Sequence, residues 1–425
     1  AADSNLNVFG WASTNPCYGG TGSGALSDAY PTVSLLQGLE DAGFNLNTEL
    51  SDFYTAYRAD RPEVGMWAQD WTLPEPTADS YTDEMMANAK EFSDTAMVVI
   101  TRVGGEGADL PTDVSKVTYT DNSTEYKDFE AGEHYLQLDR TERDMLDLVC
   151  SNFDNVIVVY NGANAMELGF INEYSQIKSA IWCPGTGQSG FEALGEIVAG
   201  TVNPSGKTSD TFVADLTATP TWNNFGYFKY DNMDEYAYTS NNFKTGEEET
   251  ALPSFVNYVD GIYVGYRFYE TAAAEGLINY DDTVVYPFGY GLSYTTFTQE
   301  MGAISEDNGT ISFDVTVTNT GDVAGKDVVE VYYNPPYTNG GIEKASANLI
   351  QFEKTEVLQP GDSQTITVSF DAEDMASYDT YGAGCYVLEA GDYQISINSD
   401  SHNVIDSQTY TVASTVTYDE SNPRS

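Results

Sequence analysis

Three glycine-rich loops contain the residues of this chain whose types and spacing could do chemistry. One of them, residues 102–109 (RVGGEGAD), follows the strand-like run 96–101. A carboxylate flanked by glycines at the end of a strand is accessible, as a general acid must be to reach a leaving-group oxygen. Glu106 is therefore the candidate general acid. Most of the 66 acidic side chains are expected to be solvated surface, and Asp109 in the same loop competes with Glu106.

The other two loops could contact a ligand through their backbone. Residues 18–24 (YGGTGSG) either approach a ligand closely or form only a tight turn, and no Gly-Lys-Ser/Thr follows to make them a phosphate-binding loop. Residues 185–190 (GTGQSG) match GxGxxG between a predicted strand and a predicted helix, which is typical of dinucleotide sites. The acidic residue required about 20 positions later would be Asp210. It follows a Pro-Ser-Gly turn and no strand, so a dinucleotide site is the weaker hypothesis.

Composition excludes several classes of function. The 17 basic and 66 acidic residues give a net charge of −49, which repels nucleic acids and suits neutral ligands such as sugars. Only two histidines are present and no CxxC pair occurs, so we expect neither a metal site nor a Ser-His-Asp triad. No cofactor is predicted. The four cysteines are expected to be free and mostly buried, and no apolar run reaches the roughly 18 residues of a membrane span.

The elements that must position these loops alternate between strands and helices over residues 1–215. This alternation predicts a layered α/β sandwich with a mainly parallel sheet and helices on both faces. In such sheets, ligand loops lie at the carboxyl ends of the strands. The predicted strands are 5–9, 96–101, 156–160 and 180–182, and the predicted helices are 33–42, 141–150 and 190–200.

The rest of the chain has a different pattern. Residues 216–295 are rich in Tyr, Asn and Gly and predict an ordered connector with long loops. Residues 296–425 contain short runs of alternating polar and apolar residues separated by turns, which predicts an all-β sandwich. Its clearest strands are 311–317, 328–333, 365–368 and 393–397.

Several motifs resemble glycoside hydrolase family 3, the β-glucosidase family. Residues 286–297 (YPFGYGLSYTTF) resemble the family's most specific stretch almost letter for letter, and residues 261–269 (GIYVGYRFY) resemble the motif before it. Residues 202–207 (VNPSGK) match its NPSGK turn. Residues 353–354 and 358–361 resemble its fibronectin-III-like terminal domain. The resemblance extends over essentially the whole chain in the family's usual order.

The resemblance implies a fold, a reaction and two site residues. The fold is an α/β sandwich followed by a fibronectin-III-like sandwich, and the reaction is retaining hydrolysis of β-linked oligosaccharides or glycosides from their non-reducing ends. Glu106 occupies the position of the family's acid/base glutamate. Ser23, in the family's GTGSG loop, would reach the active site and bind substrate. The GxGxxG-like loop falls where the family has a structural glycine-rich turn.

One departure from the family matters for function. The family's aspartate nucleophile belongs to a TIM-type barrel, and these 425 residues contain no barrel. The resemblance therefore implies a barrel domain or companion chain as partner. In the presence of that barrel, burial and the nearby nucleophile would have to raise the pKa of Glu106, so that the carboxyl group stays protonated near neutral pH. The alternative is a non-catalytic carbohydrate-binding or scaffold module. Residues 1–2 read as a processed chain start, so an extracellular or cell-surface location in a bacterium is expected.

Overall fold

The structure is a computed structural model that describes residues 4–27, 29–59, 74–106, 110–116, 129–224, 228–242 and 245–424. Asp109 lies outside the described residues, so its competition with Glu106 stays open. None of the helices in these ranges combines the length and the apolar character that crossing a membrane requires.

The first part of the chain forms a five-stranded parallel sheet with helices between its strands. The sheet order is β2-β1-β3-β4-β5, and every neighbouring pair is parallel. The elements in chain order are β1 (Ser4–Phe9), α1 (Leu35–Asp41), β2 (Phe44–Leu46), α2 (Thr48–Ala59), α3 (Asp83–Phe92), β3 (Thr95–Arg102), α4 (Arg140–Asn152), β4 (Asn155–Gly162), β5 (Ile177–Trp182) and α5 (Gly190–Ala199).

Both faces of the sheet are covered at its central strands β3 and β4, as their apolar sequences require, whereas the edge strand β5 is partly exposed. Successive side chains of a strand point to opposite faces, and every residue of β3 after Thr95 is buried. Helices α1 and α5 meet through two glycines. A Cβ on Gly195 would lie 2.0 Å from the carbonyl oxygen of Gly38, so only glycine allows these helix backbones to approach so closely.

The connector contains short elements and pairs back onto the first part. Strand β6 (Phe212–Val213) pairs with β9 (Val284–Tyr286), and β7 (Tyr238–Asn241) forms a hairpin with β8 (Glu248–Ala251). The helices here are α6 (Pro220–Asn224), α7 (Tyr266–Ala274) and α8 (Tyr280–Thr283). Because β6 lies before residue 215 and β9 after it, the two segments are joined in one small sheet. The division at 215 and 295 stays a prediction.

The last part is an antiparallel β-sandwich whose core comes from alternating apolar residues. In one sheet β12 pairs with β10, β11 and β15, and the other has the order β14-β13-β18-β19. A small sheet, β16-β17-β20, lies beside them. The strands are β10 (Phe297–Met301), β11 (Ser305–Asp307), β12 (Thr310–Asn319), β13 (Val328–Asn334), β14 (Asn348–Lys354), β15 (Ser363–Asp371), β16 (Ser377–Tyr378), β17 (Tyr386–Leu388), β18 (Gly391–Asn398), β19 (Val404–Val412) and β20 (Val416–Tyr418).

The predicted fold class, α/β followed by an all-β sandwich, is confirmed. Helices α2 and α3 were not predicted from the sequence, because their apolar positions are sparse. The buried residues of α2 are Leu50, Tyr54 and Arg58, and those of α3 are Met86 and Ala89.

Candidate active site

Two of the three glycine-rich loops lie side by side at the carboxyl edge of the parallel sheet. The loop after β1 and the loop after β3 are joined by a parallel bridge between Thr21 and Gly105. A Cβ on Gly105 would lie 2.1 Å from Oγ1 of Thr21 and 2.4 Å from its backbone nitrogen. Any side chain at Gly105 would therefore push the two loops apart. Glycine at this position serves the contact between loops, and that contact sets the position of Glu106.

Ser23 and Glu106 meet directly across this junction. The backbone N–H of Ser23 donates to Oε2 of Glu106 at 3.0 Å, and the Ser23 hydroxyl donates to the same oxygen at 2.7 Å. Both residues are exposed. Gly22 has a φ of +66°, which glycine adopts readily, and it begins the 3-10 turn that carries Ser23. The structure thus brings together the two residues that the sequence analysis selected.

These hydrogen bonds lower the pKa of Glu106. The backbone N–H of Ser23 contributes most and the hydroxyl second, because both stabilise the charged carboxylate. The raised pKa that the acid role requires was expected only together with the nucleophile-bearing barrel, so that expectation stays a prediction. Within the part of the chain that the structure describes, the Glu106 carboxylate is open to solvent.

Arg102 anchors the base of the Glu106 loop. Its two terminal nitrogens each donate to Glu142 at 2.6 Å, and Nε donates to the carbonyl oxygen of Tyr135 at 2.5 Å. The hydroxyl of Tyr135 in turn accepts from the N–H of Val103 at 2.7 Å. Arg102 and Glu142 are both buried. The last residue of β3 is therefore held rigidly four positions before Glu106.

Asn161, near the end of β4, ties together the loops that follow β1 and β5 and the end of β3, and the sequence analysis missed it. Its Oδ1 accepts from the N–H of Cys17 at 2.6 Å, and its Nδ2 donates to the carbonyl oxygens of Cys17 and Cys183 at 3.0 Å each. The Thr101 hydroxyl donates to the Asn161 backbone carbonyl at 2.8 Å. The only sequence signal was a polar residue at the end of an apolar strand.

The GxGxxG-like loop packs against the loop after β1. The N–H of Gly187 donates to the carbonyl oxygen of Tyr18 at 2.7 Å, and a Cβ on Gly185 would lie 3.1 Å from that same oxygen. Gly187 has a φ of +64°. These glycines therefore support the neighbouring loop. This arrangement agrees with the structural role that the sequence analysis favoured for them.

The cysteines are free, as expected. Cys17 and Cys150 are buried, while Cys183 and Cys385 are partly exposed. Burial raises the pKa of Cys150 and of Cys183 to about 11, so these thiols are protonated and unreactive near neutral pH. Among the residues that the structure describes, no group of three or more His, Cys, Asp or Glu side chains is arranged to hold a metal ion.

Comparison with known proteins assigns both parts of the chain. Residues 1–294 match the sequence profile of the glycosyl hydrolase family 3 C-terminal domain. Residues 327–401 match that of the fibronectin type III-like domain. The chain belongs to glycoside hydrolase family 3. The resemblance inferred from its motifs is thereby confirmed.

Relatives in this family include β-glucosidases. The chain is 32% identical to β-glucosidase A of Butyrivibrio fibrisolvens, over 92% of this chain and 46% of that protein. It is 31% identical to a β-glucosidase of Ruminococcus albus, over 96% of this chain and 38% of that protein. A solved β-glucosidase structure from Paenibacillus barengoltzii superposes with a TM-score of 0.78 at 30% identity, over 98% of this chain and 41% of that one. The chain thus spans less than half the length of these relatives.

Proposed function

We propose that this chain supplies the general acid/base to a retaining β-glycosidase, with a β-glucoside as substrate. The observation that carries the proposal is the Glu106 carboxylate, exposed at the carboxyl edge of the parallel sheet and held on one oxygen by Ser23. The hydrogen bonds seen among the described residues use only Oε2 of Glu106, and we propose that Oε1 faces the glycosidic oxygen. The β-glucosidase relatives support the choice of substrate.

In the proposed mechanism Glu106 acts twice. It first donates a proton to the glycosidic oxygen as the bond to the leaving group breaks, and it then takes a proton from the water that hydrolyses the glycosyl-enzyme intermediate. Ser23 holds the carboxylate in one orientation during both steps, and as an exposed residue beside Glu106 it would also bind a hydroxyl of the substrate. Arg102 and Tyr135 keep the loop at a constant distance from the sheet.

A second carboxylate must come from outside these residues. Retaining glycosidases use two carboxyl groups about 5–5.5 Å apart, and we assign the nucleophile to the barrel that the relatives' additional length would include. A barrel over Glu106 would exclude water and bring a second negative charge, and both effects raise a carboxyl pKa. Both effects would oppose the lowering of the Glu106 pKa by Ser23. The isolated chain should bind sugars weakly and hydrolyse none.

The test is Glu106→Gln in the longest natural protein or complex that contains this chain. We expect kcat/KM for a β-glucoside with a poor leaving group to fall by about 10²–10⁴-fold. A 2,4-dinitrophenyl glucoside, which needs no protonation to leave, should lose much less activity in its first step. The exposed Glu300→Gln is the matched control. Equal, wild-type rates for both variants would refute the assignment and leave the non-catalytic carbohydrate-binding module as the remaining hypothesis.

Two further properties belong to the same proposal. With 66 acidic and 17 basic residues, the protein should not bind DNA or RNA at low salt, which a gel-shift titration would check.

We also propose that the complete enzyme acts outside a bacterial cell or at its surface. Fractionation of the source culture, followed by immunodetection, would place it.

A further inference from the structure

The outer face of the sheet β14-β13-β18-β19 carries polar side chains although it is buried. The apolar residues of β13 and β18 belong to the sandwich core, and the residues between them point to the opposite face because successive side chains alternate. The outer face of an antiparallel sheet is commonly solvated. Here its residues are at most 4% exposed, so another part of the chain must cover them. They are Glu330, Tyr332, Ser396 and Asn398.

The cover is the connector, with its family motif at the centre. A Cβ on Gly289 would lie 2.2 Å from Oε2 of Glu330, so the backbone of the motif lies directly against this carboxylate. The ring of Tyr266 meets that of Tyr332 edge-on, with centroids 6.0 Å apart. Tyr266 also stacks on Phe288, with centroids 4.7 Å apart. The polar face is therefore enclosed in the junction between the connector and the sandwich.

Three buried oxygen atoms on this face have no hydrogen-bond partner among the residues that the structure describes. They are Oε1 of Glu330, Oδ1 of Asn398 and Oγ of Ser396. Leaving a buried polar atom unpaired is unfavourable, and most of all for a charged group. Since the great majority of buried polar side-chain atoms in proteins have a partner, three such oxygens on one face point to a bound ligand.

The strand register brings these side chains together. Glu330 lies opposite Asn398, and Tyr332 lies opposite Ser396. Residues directly opposite each other have Cβ atoms about 4.5–5.5 Å apart, and diagonal neighbours are about 7–8 Å apart, so one small ligand between them would contact all three oxygens. The Tyr332 hydroxyl donates to Oε2 of Glu330 at 2.8 Å. This bond holds the carboxylate on the shared face with Oε1 as its unpartnered atom.

The charges around the site favour a positive ligand. Lys207 stabilises the charged form of Glu330, while Asp400 and Asp327 oppose it. Three carboxylates thus face one ammonium group, which already donates to the Ser399 carbonyl at 3.1 Å. Burial raises the pKa of Glu330 to about 7, because the chain's own groups compensate the buried charge only in part.

We propose that Oε1 of Glu330, Oδ1 of Asn398 and Oγ of Ser396 bind a monovalent alkali cation, Na⁺ or K⁺, which joins the sandwich to the connector. Carboxylate, amide and hydroxyl oxygens suit hard cations. A single positive charge matches a site with one carboxylate, whereas Ca²⁺ takes six to eight oxygen ligands, commonly including several carboxylates. The site also differs in kind from the His- and Cys-containing sites that the composition excludes.

The test is thermal unfolding of the longest natural protein or complex that contains this chain, in NaCl, KCl and choline chloride at one ionic strength. Choline screens surface charge equally but is too large for the site. We expect the melting temperature to rise saturably with Na⁺ or K⁺ in place of choline. Glu330→Gln should lose this cation-specific rise, and the exposed Glu300→Gln should keep it.

Ser396→Ala gives a second test that does not depend on how Glu330→Gln folds. It removes a buried hydroxyl that has no partner among the described residues, so its melting temperature in choline chloride should not fall. The cation concentration of half-maximal effect should rise about tenfold, because one ligand is lost.

Equal wild-type melting temperatures in the three salts would overturn the proposal. An undiminished cation effect in Glu330→Gln, or an unchanged half-maximal concentration in Ser396→Ala, would do the same. A crystal structure from the more effective salt should show the cation in contact with Oε1 of Glu330, and a water molecule in its place would contradict the assignment. None of these measurements uses activity, so they are independent of the role of Glu106.

Discussion

At the residue scale, the Ser23 hydroxyl makes the shorter of the two hydrogen bonds to Oε2 of Glu106. Ser23→Ala removes that donor and leaves the backbone N–H in place. The charged carboxylate is then less stabilised, so the pKa of Glu106 should rise toward its ordinary value. A carbon-13 NMR titration of the carboxyl group in the 425-residue chain would measure the change. In the complete enzyme, the basic limb of the rate profile should move to higher pH.

The control for this prediction is Ser27→Ala in the same loop, because the hydroxyl of Ser27 accepts from the N–H of Ala29 and, among the described residues, makes no bond to Glu106. It should leave the pKa of Glu106 unchanged. An unchanged or lower pKa in Ser23→Ala would mean that the serine hydroxyl does not hold this carboxylate in solution.

Gly105 tests the junction between the two loops. In Gly105→Ala the new Cβ meets Oγ1 and the backbone nitrogen of Thr21, so the loops must separate at a cost of about 1–3 kcal/mol in the free energy of unfolding. Urea denaturation measures this cost. Gly24→Ala is the control, because no atom of the described residues lies within 4 Å of its Cβ. If the two variants are equally stable, the loop contact is not tight.

At the scale of elements, helix α4 supports the Glu106 loop, because Glu142 in its first turn accepts two hydrogen bonds from Arg102 at the base of that loop. Asp139 caps its N-terminus: its Oδ1 accepts from the N–H of Glu142 at 2.9 Å, and Oε2 of Glu142 accepts from the N–H of Asp139 at 3.0 Å. Burial, with the nearby charge of Glu142, raises the pKa of Asp139 to about 7. Asp139 thus keeps its proton to higher pH in the folded state than in the unfolded chain, where its pKa is about 3.9.

The raised pKa of Asp139 makes the stability of the fold depend on pH in one direction. Between about pH 4 and pH 7 the folded state binds more protons than the unfolded one at Asp139, so its contribution becomes less favourable as pH rises. Asp139→Asn keeps an effective cap and removes the charge. Between pH 5 and 7.5, we expect the free energy of unfolding of wild type to fall by on the order of 2 kcal/mol more than that of Asp139→Asn. Urea titrations at both pH values, with the exposed Asp83→Asn as control, would show it. Parallel pH dependences for Asp139→Asn and wild type would contradict the prediction.

At the scale of the whole molecule, a polar cluster locks the connector to the sandwich. Oε1 of Glu270 accepts from the hydroxyls of Tyr280 at 2.7 Å and Ser401 at 3.0 Å, and its Oε2 lies 2.8 Å from Nδ1 of His402. The rings of Tyr280 and His402 stack 3.6 Å apart. The NPSGK turn contributes to the same junction, because Lys207 donates to the Ser399 carbonyl at 3.1 Å.

Glu270→Ala should weaken this junction. It leaves the buried Tyr280 hydroxyl without its acceptor, at a cost of about 1–3 kcal/mol, and calorimetry should show the sandwich and the α/β part melting in two transitions. The exposed Glu300→Ala should melt like wild type. One unchanged transition in Glu270→Ala would show that other contacts hold the two parts together.

Although α2 and α3 were missed, sequence patterns alone were enough to predict the main strands, helices α1, α4 and α5, and the sandwich. Their apolar residues repeat with the period of the element, and burial of one face depends on that repeat. The same holds for the candidate acid: Glu106 stands among glycines directly after an apolar strand, and any parallel sheet places such a residue at its carboxyl edge. Net charge and the family motifs are likewise properties of the sequence.

Only the tertiary structure decided what surrounds those residues. Ser23 and Glu106 are 83 positions apart, and whether they touch depends on the order of β1 and β3 in the sheet, which no local pattern specifies. The contacts of Asn161 and Arg102 likewise join segments that are far apart in the sequence, so no local pattern predicts them. The lowered pKa of Glu106 in this chain also depends on its solvent exposure and on its hydrogen bonds from Ser23. Both are properties of the folded chain, set by contacts between segments far apart in sequence.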